Sequence, residues 1–245
     1  MSTDSILVFG ASGHAKVVID IIEQQSLWHI VGLIDSYKNP GTKLMGYEVL
    51  GAEACVPDLM TRHNLAGAII AIGDNWIRHQ VVQRAVSDAP GLAFVNAIHP
   101  TARVARDVQL GKGVVIMPGV TINPGSRIGD FCFVNTNASV DHDNTLEPFS
   151  CVQPNAATGG NVRLGAHSVI SMGANVIQGV SIGEHTIIGA GSTVLHDIPD
   201  RVIAYGTPCR LIRSREPGQA RADGISKNES NNAFHGRNNY EHCKR

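Results

Sequence analysis

Residues 110–128 read LGKGVVIMPGVTINPGSRI, with Leu110, Ile116, Ile122 and Ile128 standing six apart. The cadence runs without insertion from Val104 to Val194, and only Thr158 replaces the aliphatic residue. Glycine often follows it (Gly111, Gly129, Gly165), and four places later a small residue or valine recurs, as at Val114, Ser126, Cys132 and Ala138. A period of six belongs neither to a helix nor to simple strand alternation; it marks a hexapeptide β-helix. Three hexads make one triangular coil of roughly eighteen residues, stacked about 4.8 Å from the next. The aliphatic side chain points into the prism and the small one fits beside it. A β-sandwich would not hold one phase over so many hexads. In this fold class the coil is left-handed, against the usual hand of strand crossovers.

The 245 residues suggest one large or two modest domains, and the net charge of −1 shows neither a basic stripe nor an acidic tract. Nucleic acid and anionic membrane are therefore poor partners, and no apolar run reaches membrane-spanning length. Five scattered cysteines (Cys55, Cys132, Cys151, Cys209, Cys243) form no CxxC pair. They read as buried small hydrophobes or free thiols in a reducing, cytoplasmic compartment.

Ahead of the solenoid, Ile6–Phe9 is a strand ending in Gly10-Ala-Ser-Gly13, followed by helical periodicity over Ala15–Gln25. Ile30–Ile34 and Gly67–Ile72 are further buried strands, and Ile77–Val86 reads as a helix. Alternating strands and helices mean a small parallel sheet, a Rossmann-like α/β domain over residues 1–97. The solenoid and a loop-rich cap then occupy 98–213. Residues 214–245, poor in aliphatics, read as a disordered tail.

Three places carry candidate chemistry. The loop GASGHAK (Gly10–Lys16) joins strand to helix, where backbone amides and a helix N-terminus suit a diphosphate. Its spacing is GxxGxA, with Ala15 in place of a third glycine, so a nicotinamide site and a plain tight turn stay open beside a nucleotide sugar. Asp35 and Gly73-Asp74-Asn75 end two other strands on the same edge, where ligands of open α/β sheets sit. Within the solenoid, His142 is flanked by Asp141 and Asp143 two places after the inward Val140, so it projects outward. A carboxylate beside an imidazole raises its basicity, as a general base needs; a solvated turn is the alternative. One coil on stands Gly160, whose missing side chain leaves room for a thin ligand arm. A three-histidine zinc site fails on spacing, because His167 and His185 are eighteen apart while His142 sits elsewhere in the hexad. No metal is expected.

Together GASGHAK, LID at 33–35, AIGDNWIR at 71–78, VNTNASVDHD, TGGNV and GTPCRLIR at 206–213 resemble bacterial sugar acyltransferases of the sialic acid O-acetyltransferase group. Within it the likeness is to N-acetyltransferases of nucleotide-linked amino sugars. The resemblance implies acetyl-CoA lying along the solenoid between subunits of a homotrimer, and a nucleotide-linked amino sugar on the N-terminal domain. Met117, Phe131, Phe133 and Met172 would then help bury the trimer faces. His142 resembles the general base, with Asp143 in place of a relative's glutamate, and Asn135 an active-site asparagine. Gly160, Ala190, Cys151 and Met172 fall along the cofactor path; Ser12, Gly13, His14, Asp35 and Asn75 fall to the substrate.

The implied reaction is direct transfer of an acetyl group to the amine of a 4-amino-dideoxy sugar, without an acyl-enzyme. O-acetylation of a sugar such as sialic acid is the alternative, and a non-catalytic scaffold a third reading. The His142–Asp143 pair argues against the last.

Overall fold

The computed structural model describes residues 4–216. The N-terminal domain is built on β1 (Asp4–Phe9), flanked by β2 (Trp28–Ile34) and β5 (Gly67–Ile70), both parallel to it. Ile6–Phe9 is at most 1% exposed, as a central strand covered on both faces must be. Its alternation sorts the two covers. Ile6 and Val8 face helix α1 (Gly13–Gln25) and the solenoid; Leu7 and Phe9 face helices α2 (Val56–His63) and α3 (Asn75–Asp88).

The edge of the sheet is a hairpin, β3 (Lys43–Leu44) and β4 (Tyr47–Gly51), with β4 parallel to β2. Neither the hairpin nor α2 stands out in the sequence, because strands of two and five residues and a helix of eight leave little periodicity to read. Strand β5 stops at Ile70 rather than Ile72, and α3 begins at Asn75 because the Asp74 carboxylate caps it, accepting from the N–H groups of Trp76 and Ile77.

The solenoid opens at Ala97–Ile98, which pairs with Val115–Ile116, so Ala97 already belongs to the first coil. Thereafter strands pair with those eighteen residues on, as Val134 with Val152 and Val140 with Thr158, until the last coil shortens the step and Ile188 pairs with Ala204. The hexad aliphatics from Ile116 to Val194 are buried, while Val104 and Leu110 at the open end are partly exposed. Three sheets of stacked two-residue parallel strands make this the parallel β-helix that the six-residue period calls for. Each corner needs a residue with positive φ. Besides glycines, Asn137, Asp143, Asn155 and Asn161 supply it, Asn and Asp tolerating that region better than other side chains. Phe131, Phe149, His167 and His185 supply it at the remaining corner.

Only one face of the prism is apolar outside as well as inside. Its outward residues are Val115, Phe133, Cys151, Val169 and Ile187, all at most 8% exposed. The equivalent positions of the other faces are Thr121, Ser139, Ala157 and Asn175, or Arg127, Thr145 and Arg163. The apolar face and its corner carry the N-terminal domain. His14 stacks on Phe133 with centroids 5.0 Å apart, and the Arg78 guanidinium lies 3.9 Å over the same ring. This corrects the expectation that Met117, Phe131 and Phe133 cover a trimer face: they are buried within one chain (0–3% exposed), and only Met172, at 59%, stays open.

Two further expectations change. The boundary at 213 falls inside the last strand (Arg210–Ser214), which runs antiparallel to Val202–Tyr205. Arg215 continues the fold, donating to the carbonyls of Arg201 and His185. The tail expected over 214–245 otherwise lies outside the described residues. Cys132, Cys151 and Cys209 are buried free thiols, whereas Cys55 is disulfide-bonded.

Candidate active site

His142 and Asp143 follow the inward Val140 at a solenoid corner. Strand alternation alone would send the two side chains apart. Asp143 instead takes φ +58°, and the turn brings its Oδ2 to 2.8 Å from His142 Nδ1. With Nδ1–H donating to that carboxylate, Nε2 is the nitrogen free to take a proton. The Asp143 hydrogen bond outweighs partial desolvation and holds the imidazole above its usual pKa. Both side chains are more than half exposed, at 53% and 57%.

Asp141 faces the other way. Its Oδ1 accepts from the His142 N–H and from Asn123 Nδ2, each at 2.8 Å. The turn is locked from inside by Asn144, fully buried, whose amide donates to the carbonyls of Asp141, His142 and Gly159. Asn144 was not singled out in the sequence, since a buried asparagine at an inner corner looks like any small hexad residue. Gly160 lies in the next coil directly under the imidazole: a Cβ there would stand 2.4 Å from Cε1. The space expected to stay open for a ligand is occupied by the His142 ring itself, which rests flat because Gly160 has no side chain.

Asn135 and Cys151 sit together elsewhere. Asn135 Nδ2 lies 3.2 Å from Cys151 Sγ and 3.1 Å from the Val152 carbonyl, and both residues are buried. They end the apolar face, next to the corner that carries exposed Met172 and Ala190 one and two coils on. The Ser139–Val140 face separates that corner from His142, so one chain does not join Asn135, Cys151, Met172 and Ala190 to the His142–Gly160 pair.

A cavity of about 330 Å³ opens at the carboxyl edge of the N-terminal sheet, lined among others by Gly10, Ser12, Asp35, Ser36, Glu53 and Arg84. Ser12 is the N-cap of α1 yet makes no capping hydrogen bond, and the first turn carries no acidic residue. An uncapped helix end with an exposed hydroxyl and Gly13 beside it is suited to an anion. Asp35 ties the loops around it. Its Oδ2 accepts from the Ala11 N–H at 2.8 Å, and its Oδ1 from Tyr37 N–H and Lys38 N–H.

Of the remaining substrate candidates, His14 turns away from the cavity onto Phe133; burial, then Arg78, lowers its pKa to about 4. Asn75 is corrected outright. It is 7% exposed, donates to the carbonyls of His167 and Ser168, and accepts from Arg78 Nη2 at 2.9 Å. It joins the two domains instead of lining the cavity. Arg78, also passed over in the sequence, is fully buried and donates to the carbonyls of Ile72, Gly73, Phe131 and Phe149 besides. Among the described residues no cluster of His, Cys, Asp or Glu could hold a metal ion. Nor is any helix there long and apolar enough to cross a membrane.

Residues 5–85 match the PglD N-terminal domain, and residues 101–136 and 161–196 match the bacterial transferase hexapeptide repeats. The chain is 29% identical over 144 residues to the GDP-perosamine N-acetyltransferase of Escherichia coli O157:H7. It is 33% identical over 127 residues to the UDP-N-acetylbacillosamine N-acetyltransferase of Bacillus subtilis (strain 168). These alignments span 56% and 46% of the chain and 61% and 51% of the two relatives' own lengths. Among solved structures, PerB of Caulobacter crescentus in complex with CoA and GDP-perosamine superposes with a TM-score of 0.80 at 37% identity, covering 86% of this chain and 99% of that one. The acetyltransferase domain of PglB from Neisseria gonorrhoeae FA1090, in complex with acetyl coenzyme A, gives 0.77 at 30%, covering 86% and 100%. With both halves of its architecture matched, the chain belongs to the hexapeptide-repeat acetyltransferases of nucleotide-linked amino sugars.

Proposed function

We propose that the chain transfers the acetyl group of acetyl-CoA to the amine of a nucleotide-linked 4-amino-dideoxy sugar, with His142 as general base. The observation that carries this is the His142–Asp143 pair, which leaves Nε2 as an exposed acceptor with raised basicity. The attacking amine forms a bond to the thioester carbonyl carbon, and Nε2 takes the proton the nitrogen must lose. The tetrahedral intermediate then collapses, expelling the CoA thiolate, which takes the proton back from the His142 imidazolium. A thioester is already activated, so no acyl-enzyme is required. General-base help of this kind contributes roughly 10²–10⁴-fold.

The uncapped α1 N-terminus beside Ser12 and Gly13 receives the diphosphate, and the cavity past Asp35 the nucleoside. Similarity to two amino-sugar N-acetyltransferases supports the amine as acceptor over the hydroxyl of an O-acetyltransferase. A homotrimer completes the site, because Asn135, Cys151, Met172 and Ala190 lie one prism face away from His142 within a chain. A second copy packed on that face brings its exposed Met172 and Ala190 toward His142, with Asn135 and Cys151 buried behind them. The exposed Met172, Ile177 and Leu195 fit such packing.

The test is release of free thiol from acetyl-CoA against a panel of GDP-, UDP- and dTDP-linked amino sugars and free sialic acid. Turnover with sialic acid alone would overturn the reading, and light scattering checks the trimer.

A further inference from the structure

The column of side chains behind the His142 corner is polar only where the base sits. Residues 108, 126, 144, 162 and 180 stack there, one to a coil, and read Val, Ser, Asn, Val, Val. Ser126 and Asn144 are fully buried, and Val162 and Val180 at most 4% exposed. Valine is therefore a side chain that this slot accepts.

Asn144 fits it less comfortably. Its Nδ2 lies 2.8, 3.1 and 2.9 Å from the carbonyls of Asp141, His142 and Gly159, which fixes the orientation of the amide. Oδ1 is left buried with no hydrogen-bond partner, and an unsatisfied acceptor destabilises a fold. Two of the three carbonyls do not depend on it. The Asp141 carbonyl also accepts from Ser126 Oγ at 2.8 Å, and the His142 carbonyl from the Asn161 N–H at 3.0 Å. Stability alone would favour valine at 144. What the amide adds is a link between two coils. It holds the peptide that carries the imidazole to the carbonyl just before Gly160, on which the ring rests. The ring has little slack there, since a Cβ on Gly160 would lie 2.4 Å from Cε1. We infer that Asn144 is a positioning residue for the reaction, a buried tie that sets the His142 imidazole at its working height over Gly160. This rests on the proposed reading of His142 as general base.

The test is thiol release from acetyl-CoA with the fastest-reacting amino-sugar nucleotide of the panel above, in the parent chain, Asn144→Val, His142→Ala and the double variant. Asn144→Val should melt no lower than the parent. It should leave KM for both substrates within about 2-fold and lower kcat by about 10–100-fold, the range of an ångström-scale misplacement. In the His142→Ala background the same change should have no effect, because the group it positions is gone. Asn144→Ser should recover most of the turnover. Ser126 shows that a hydroxyl in this column reaches the carbonyl fifteen residues on, and from position 144 that carbonyl is Gly159. Parent-like kcat in Asn144→Val, or an equal loss with and without His142, would overturn the assignment and leave His142 as the base. If Asn144→Val does not fold, Asn144→Ala put through the same cycle decides. A parent chain that turns over no member of the panel sinks the general-base reading, and this inference with it.

Discussion

The imidazole of His142 rests on the backbone of Gly160, so that a Cβ on Gly160 would lie 2.4 Å from Cε1 and 2.5 Å from Nε2. Contacts that short force one partner to move. Gly160 has no positive φ, so alanine meets no backbone strain there, and the ring is the part that can swing away. Gly160→Ala should therefore keep the melting temperature close to that of the parent while displacing the base from its geometry. Misplacement by about 1 Å costs on the order of 10²-fold in kcat. Unchanged kcat would mean that the ring position seen here is not the working one.

Removing the base outright should do more. His142→Ala is expected to lower kcat by roughly 10²–10⁴-fold with the fold intact, because the side chain is about half exposed and fills no core volume. Asp143→Asn should cost less and carry a pH signature. The carboxylate holds His142 above its ordinary value, and the base works neutral, so kcat/KM rises with pH through that raised pKa. Without the carboxylate the acidic limb should move to lower pH. A limb that stays in place would show that another group sets it.

The β-helix was legible because its rule is local and repeats by translation. Each inward position sees the same three neighbours, so Val104 to Val194 announce themselves by spacing alone. The corner chemistry was half legible. The acid–base pair could be named from Asp141-His142-Asp143, but the positive φ that turns Asp143 back to the ring could not. What the sequence hid was the seam between domains. Phe131 and Phe133 looked like partner-facing residues, and Asn75 like a ligand contact, because a surface matched to another surface of the same chain has no period. Arg78 falls on the same helical stripe as Val81, Val82 and Ala85, but a guanidinium is not expected inside until the carbonyls that receive it are known.

That seam is testable through Arg78. It is fully buried and donates to four backbone carbonyls and the Asn75 amide across both domains. Arg78→Met keeps much of the volume but leaves those acceptors without their donor. The expected loss is about 3–5 kcal/mol, the range for breaking a buried charged network. Denaturant unfolding checks it, and a second transition at lower denaturant would show the N-terminal domain parting from the solenoid. A loss below about 1 kcal/mol would mean water replaces the guanidinium without cost.

The same seam should weaken in acid. Phe149, His167 and His185 stack along one corner with centroids 5.2 and 4.6 Å apart, and His79 stacks on His167 at 4.8 Å. Burial, then the neighbouring His185, His79, Arg78 and Arg215, lowers His167 to about 3; burial and Arg78 lower His14 to about 4. Both are neutral in the folded chain, whereas in the unfolded chain they titrate near 6.5. Below that value the unfolded state binds more protons, so stability falls as pH drops from about 6.5 toward 4 and is unaffected above. Each histidine contributes at most about 1.4 kcal/mol per pH unit to that slope, less for His167, which is partly exposed. His167→Phe isolates the effect, because phenylalanine already occupies the equivalent corners at Phe131 and Phe149 with φ of 57° and 61° against 60° at His167. The variant should stack on Phe149 as its neighbours do and show a flatter fall in melting temperature between pH 6.5 and 4. A slope equal to that of the parent chain would place the acid-sensitive group elsewhere.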